Sequence, residues 1–302
     1  MMWRDMPSPL QCLQLVFNGG QQDGTIGGDT LFIGGTYAIQ ALIYSAPGPD
    51  GNAGSIFLDA SQITYTGLEP IFAADAANTV LTFNTALPNN ATLRNNPSAG
   101  LIEIVDNGST FEDTQFPNPT NSLTINLGAS GDRLNVAALD SAYAASLIIN
   151  GGAGVDNVQF TGVTISSTPG RGLDVTGVET LGITGSTFSN NTADVGGGLH
   201  VTGGGNVTIV GGSVINNRAT AEGGGLWNDQ GTMTISGGTL ILGNFANGNL
   251  DPLNFPTDLQ GGGGIFNNGG ALAIMGPTTS IVNNQATGTS SSGGGIFNRN
   301  SG

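Results

Sequence analysis

Asp194 and Glu222 each stand just ahead of a run of three glycines, at 196–198 and 223–225. If those runs stack, the two carboxylates come near each other. A carboxyl pair about 5–10 Å apart is what glycoside hydrolysis requires. These are the candidate catalytic residues; the competing reading is two solvated turn residues. Lyase chemistry would use an Arg or Lys base, but lysine is absent. The basic residues of the C-terminal half are Arg171, Arg218 and Arg299, none beside a carboxylate cluster in sequence. His200 is the only histidine of the 302 residues. Alone it builds no zinc site, and with no Ser or Cys nucleophile nearby it makes no triad. The positions that match it further on hold Trp227, Phe266 and Phe297. Such a row of rings is a candidate ligand-binding flank for sugars, or a simple cover for a sheet.

A second group of candidates is metal-binding. GGAGVDNVQ (151–159) fits the nonapeptide G-G-x-G-x-D-x-U-x, with Asp156 at the ligand position. LGASGDRLN (127–135) is a degraded copy centred on Asp132, and GTIGGDTLF (24–32) another on Asp29. The pattern resembles the repeat of RTX proteins. That resemblance implies calcium, with carboxylate and backbone oxygens of successive turns around a hard cation. The copies are not tandem: Asp132 and Asp156 lie 24 residues apart, and Asp29 lies 103 before Asp132. An isolated match in a glycine-rich chain is also what an ordinary β-turn gives, so both readings stand.

The elements that would position these groups are repeated. GGGLHV, GGGLWN, GGGIFN and GGGIFN begin at 196, 223, 262 and 293, in steps of 27, 39 and 31 residues. Ahead of or between them stand TFSNNTA, SVINNRA, LILGNFA and SIVNNQA, with Asn191, Asn217, Asn244 and Asn284 in register. Short β-branched runs lie between, as in NVTIVGG (206–212) and GTMTISGG (231–238). The long steps come from polar inserts, NGNLDPLNFPTDLQ (247–260) and GTSSS (288–292), as surface loops should be. A period near 27 with several short β runs and no helical pattern predicts a solenoid.

Each unit reads as three strands, GLHV, VTIV and TFSNN. The fold class expected is all-β, a right-handed parallel β-helix, with a β-rich N-terminal region that continues the helix or precedes it. Inward columns should be Leu199, Leu226, Ile265 and Ile296; Phe188, Val214, Ile241 and Ile281; and Val207, Ile209, Met233, Ile235, Leu272 and Ile274. Ala193, Ala219, Ala246 and Ala286 mark a place with room for a methyl. The asparagines read as turn residues that stack into an amide ladder. The glycines read as the opposite corner, with positive φ and close backbone approach.

At this point the repeat resembles a family. A small-residue glycine motif paired with F-x-x-N is similar to the passenger repeats of chlamydial polymorphic membrane proteins and related autotransporter-like surface β-helices. Phe188-Ser189-Asn190-Asn191 matches F-x-x-N literally, and three later copies carry Val or Ile for Phe. The resemblance spans about residues 170–302. It implies an exported outer-membrane or cell-surface adhesin, coat or scaffold.

Composition agrees with export and excludes other classes. Acids number 21 against six arginines, a net charge of −15. Such a chain lacks the basic surface that nucleic acid binding needs. No long apolar run spans a membrane. Cys12 is the only cysteine, so no intrachain disulfide forms. The start, MMWRDMPSPLQCLQLVF, is a poor signal peptide, and GGGIFNRNSG stops within a repeat. The expectation is a piece of a longer exported protein.

Three regions are expected: an irregular segment at 1–17, a β-rich or β-roll-like region at 18–150, and helix repeats at 151–302. SAPGPDGNAG (45–54) and FPNPT (116–120) read as loops. ITYTGLEPI (63–71) echoes LDVTGVETL (173–181), which relates the two halves. The function expected is non-enzymatic adhesion or scaffolding at a bacterial surface, with a host or neighbouring cell surface as partner. The alternative is a β-helix that binds or cleaves an extracellular glycan.

Overall fold

The computed structural model describes residues 2–3, 14–18, 29–48, 51–84, 86–248, 260–288 and 291–299. Cys12 lies outside them. Every described element is a strand, and the chain is an all-β parallel β-helix. No helix among the described residues is long and apolar enough to cross a membrane. Two compact units divide the chain: Met1–Tyr143 with Asn150–Asn157, and Ala144–Ile149 with Val158–Gly302.

The second unit carries the repeat, and its chain winds through four larger parallel sheets, with a fifth of two strands, Gln260–Gly261 and Ser291–Ser292. One holds Thr180–Thr184, Asn206–Val210, Thr232–Ser236 and Ala271–Ile274. A second holds Leu173–Thr176, Leu199–Thr202, Leu226–Asn228, Ile265–Asn268 and Ile296–Arg299. A third holds Thr164–Ser166, Thr187–Ser189, Ser213–Ile215, Leu240–Leu242 and Ser280–Val282. The fourth is Thr192–Val195, Arg218–Glu222, Phe245–Ala246 and Gln285–Ala286. This last sheet is one more than the sequence suggests. Its strands shrink to two residues, too short to show an alternating pattern.

The columns fall in register. Leu199 pairs with Leu226, then Ile265, then Ile296. Phe188, Val214, Ile241 and Ile281 line up likewise, as do Ala193, Ala219, Ala246 and Ala286. Leu199, Leu226, Ile241 and Ile265 are fully buried. Burying such a side chain contributes roughly 1.5–3 kcal/mol. A net hydrogen bond contributes about 1 kcal/mol. The columns therefore hold the rungs together, while the polar corners fix their register. Ile274 and Ile296 are exposed, because their strands have a described neighbour on one side only.

The two asparagines at each corner divide the work. Asn190, Asn216 and Asn283 take the left-handed backbone, at φ 56°, 54° and 54°. Gly243 fills that place in the copy that lacks the first asparagine. The second asparagines, Asn191, Asn217 and Asn244, are fully buried and form the ladder. Nδ2 of each donates to Oδ1 of the next at 3.0, 3.0 and 2.9 Å, ending on Asn284. Thr168 opens the ladder, its hydroxyl donating to Asn191 Oδ1 at 3.0 Å.

In the first unit the strands are β1 (Met2–Trp3), β2 (Gln14–Asn18), β3 (Asp29–Ile33), β4 (Thr36–Gly48), β5 (Gly51–Leu58), β6 (Ser61–Thr66) and β7 (Leu68–Phe72). They continue as β8 (Asp75–Thr82), β9 (Asn90–Asn95), β10 (Leu101–Asp106), β11 (Thr114–Pro117), β12 (Ser122–Asn126) and β13 (Arg133–Val136). One run of sheet reads β1-β3-β7-β11-β10-β9-β13 and the other β2-β6-β5-β4-β8-β12. Each contains one reversed strand. β5 is antiparallel to β4 and β6, and β10 to β9 and β11. The other described pairs of this unit are parallel.

These reversals correct two loops expected from sequence. Ser45–Gly48 and Gly51–Gly54 extend the hairpin of β4 and β5, which tolerates them through a register shift before Gly48. Phe116 and Pro117 close β11. The T-G-[LV]-E echo is one corner used twice: Gly67 follows β6 at φ 65°, and Gly177 follows Leu173–Thr176 at φ 67°.

Candidate functional site

The row of rings is built as the repeat dictates. Asp174, His200, Trp227, Phe266 and Phe297 are paired partners on successive strands of one sheet. Ring centroids are 4.6 Å apart for His200 and Trp227, 6.3 Å for Trp227 and Phe266, and 5.1 Å for Phe266 and Phe297. Trp227 and Phe266 are nearly coplanar in orientation, at 3°. Phe266 is fully buried, whereas His200, Trp227 and Phe297 keep part of their surface open. The row thus offers three part-open rings interrupted by buried Phe266 rather than a continuous plate.

The row ends in a polar cluster. Asp174 Oδ1 lies 2.8 Å from His200 Nδ1, and its Oδ2 accepts from Arg171 Nη1 at 3.1 Å. Arg171 Nε also donates to the Val195 carbonyl at 2.9 Å. Burial alone would push the Asp174 carboxyl up, but His200 and Arg171 outweigh it and hold it below its ordinary value. The stability this adds is present above the unfolded value and is lost as pH falls through the folded one. Asp174→Asn is therefore expected to destabilise the fold near neutrality, with the difference closing in acid. Urea unfolding at the two conditions checks it.

Sequence spacing missed Asp174. The signal was LDVT (173–176), one rung ahead of LHVT (199–202), but Gly170-Arg171-Gly172 stands there in place of three glycines.

The two candidate acids hold different partners. Asp194 Oδ1 accepts from the Thr220 hydroxyl at 3.2 Å, and Glu222 Oε2 accepts from Trp227 Nε1 at 3.0 Å. A register shift between Ala193 and Val195 pairs Val195, not Asp194, with Glu222. Glu222 thereby becomes part of the ring row, where it fixes the indole.

Asp132 and Asp156 do come together. The Asp132 N–H donates to Asp156 Oδ1 at 2.8 Å, and Asp132 Oδ1 accepts from the Asn89 N–H at 2.6 Å and Nδ2 at 2.8 Å. Each carboxylate spends an oxygen on a backbone amide, and among the described residues no group of three or more His, Cys, Asp or Glu could hold a metal ion. Asp29 lies on exposed β3 surface, far along the sheet order. The glycines of the nonapeptide serve contact between turns: a Cβ on Gly154 would overlap the Ser130 carbonyl.

One further cleft was not legible. A cavity of about 470 Å³ opens over β10 and β11, lined among others by Arg94, Glu103, Asp106, Asp113 and Gln115. Arg94 and Glu103 face each other across β9 and β10, with Nε to Oε1 at 2.6 Å, and Asn96 Nδ2 donates to Glu103 Oε2 at 2.7 Å. Burial pushes the Asp113 carboxyl up against the bond from the Asp106 N–H, with the Asp106 and Glu103 charges adding to the push and Arg94 opposing it. Its Oδ1 accepts the Asp106 N–H at 2.7 Å. The signal was the turn NNPSAG (95–100) between two alternating runs, which places Arg94 and Glu103 on one face.

Compared with known proteins, the chain matches no family model, no curated protein and no solved structure.

Proposed function

We propose that this chain is a non-enzymatic, exported β-helix of a bacterial surface or secreted protein, serving adhesion or scaffolding. One observation carries the reading. The repeated positions go to inward columns, the asparagine ladder and glycine corners, and the ring row that repeats with them keeps His200, Trp227 and Phe297 part-open, with Phe266 buried between. A stack of rungs with a repeated outer face suits contact rather than turnover. Export is supported by the acidic charge of −15 and by the resemblance of the repeat to surface passengers. The separate partners of Asp194 and Glu222 weigh against paired-acid hydrolysis.

The second reading, carbohydrate binding, is favoured by the half-open Trp227 ring. Stacking on an aromatic face contributes about 0.5–1.5 kcal/mol beyond area burial. Glycan-array binding tests both readings. Trp227→Ala is expected to weaken any bound glycan by roughly tenfold, about 1.4 kcal/mol. Unchanged binding in that variant would remove the ring row from the account and leave a plain scaffold.

A further inference from the structure

The cavity of about 470 Å³ over β10 and β11 has the size of a small-molecule site, which runs to roughly 300–1,000 Å³. Strand register builds its polar wall. Arg94 on β9 pairs with Glu103 on β10, and Glu103 pairs with Gln115 on β11. Asp113 stands two residues ahead of Gln115 and lines the same cavity. Most of the acids here are already engaged. The two oxygens of Glu103 accept from Arg94 Nε at 2.6 Å and Asn96 Nδ2 at 2.7 Å. Asp106 Oδ1 accepts the Gly108 N–H at 2.7 Å, and its Oδ2 accepts the N–H groups of Thr110 and Phe111. Glu112 accepts from Asn52 Nδ2 at 3.2 Å. These carboxylates serve the protein's own donors and stiffen the wall. The groups left over are of opposite sign. Among the described residues, the Nη groups of Arg94, the side-chain amide of Gln115 and Oδ2 of Asp113 take part in no hydrogen bond.

We propose that this cleft binds a small zwitterion, a free α-amino acid, with its carboxylate on the Arg94 guanidinium and its ammonium on Asp113 Oδ2. A guanidinium takes a carboxylate through paired, charge-assisted bonds. Asp113 supplies the acceptor that an ammonium needs, and its other oxygen is fixed by the Asp106 N–H at 2.7 Å. The Arg94 charge reaches Asp113, so the two open groups belong to one site. The Gln115 amide, both donor and acceptor, is left for the ligand's own side chain. Other ligand classes fit less well. A neutral sugar would take both charged groups out of water and pair neither, which is costly. A lone anion would face four carboxylates, and a lone amine would leave the guanidinium covered and unpaired. The site lies in the first unit and goes beyond contact through the ring row, which lies in the second.

Calorimetric titration of the full chain with glycine, serine, glutamine and leucine tests this, together with the N-acetyl and carboxamide derivatives of whichever binds tightest. At least one amino acid should bind saturably. Acetylation removes the ammonium and amidation the carboxylate, so each derivative should bind more weakly by roughly tenfold or more. In Asp113→Asn acetylation should cost little further, and in Arg94→Gln amidation should cost little further, because each variant lacks the partner that the change removes. Arg133→Gln, at an exposed arginine of the same unit outside the cleft, should bind as wild type does. If either cleft variant does not fold, the two derivatives on the wild-type protein decide. Absence of saturable binding by all four amino acids would overturn the proposal. So would derivatives that bind as well as their parent, or a loss in Arg133→Gln equal to that in Arg94→Gln.

Discussion

Asn217→Ala is expected to cost about 4 kcal/mol or more of stability, at the extreme of single substitutions. The residue is fully buried and sits in the middle of the ladder. It accepts from the Asn191 N–H and Nδ2 at 3.1 and 3.0 Å. It donates from Nδ2 to the Phe188 carbonyl at 2.9 Å and to Asn244 Oδ1 at 3.0 Å. Alanine removes all of these and strands donors and acceptors on the two neighbouring rungs, each costing about 1–3 kcal/mol when left unpaired in the interior. Its neighbour Asn216 gives the contrast. That side chain takes the left-handed backbone at φ 54°, so Asn216→Gly should be nearly neutral. Urea unfolding of the two variants separates the roles; equal losses would show that the two asparagines are not divided as described.

The second large effect is Gly225→Ala. Its φ is ordinary, so backbone freedom is not what it supplies. A Cβ there would lie 2.6 Å from the Gly264 carbonyl oxygen and 3.0 Å from Asn244 Nδ2. Glycine lets one rung sit directly on the next and on the ladder. Alanine must push the rungs apart or break the Asn244 step, and overpacking of this kind costs typically 1–3 kcal/mol. A disturbed ladder adds to that. Gly204→Ala is the control. Gly204 has φ 77° with open space around its Cβ position, so only backbone strain of about 1 kcal/mol should appear. A Gly225 variant no worse than the Gly204 variant would refute close approach as the reason for the glycine runs.

These two positions also show what a single sequence reveals. Period and residue type together exposed the columns and the ladder, because Leu226 or Asn217 must meet its own kind one rung away. The fourth sheet stayed hidden because strands such as Phe245–Ala246 carry no period. Asp174 stayed hidden because its rung departs from the glycine motif at Arg171. In the first unit the reversed strands β5 and β10 break the one-rung-per-repeat arithmetic. There, too, the Asn89–Asp132–Asp156 stack carries aspartate where the second unit has asparagine, so its likeness to the ladder could not be read from residue type. Spacing gives neighbours along a regular helix; it does not give the partner that a bulge selects. The shift between Ala193 and Val195, which pairs Glu222 with Val195 rather than Asp194, is the example.

The central claim is contact through the outer face of a β-helix without turnover. The direct measurement incubates the wild-type chain with the glycans it binds on an array and follows both binding and new reducing ends over time. The account predicts binding that depends on Trp227 with no release of reducing ends. Release that disappears in Asp194→Asn or Glu222→Gln would contradict it and make the chain a carbohydrate-cleaving enzyme.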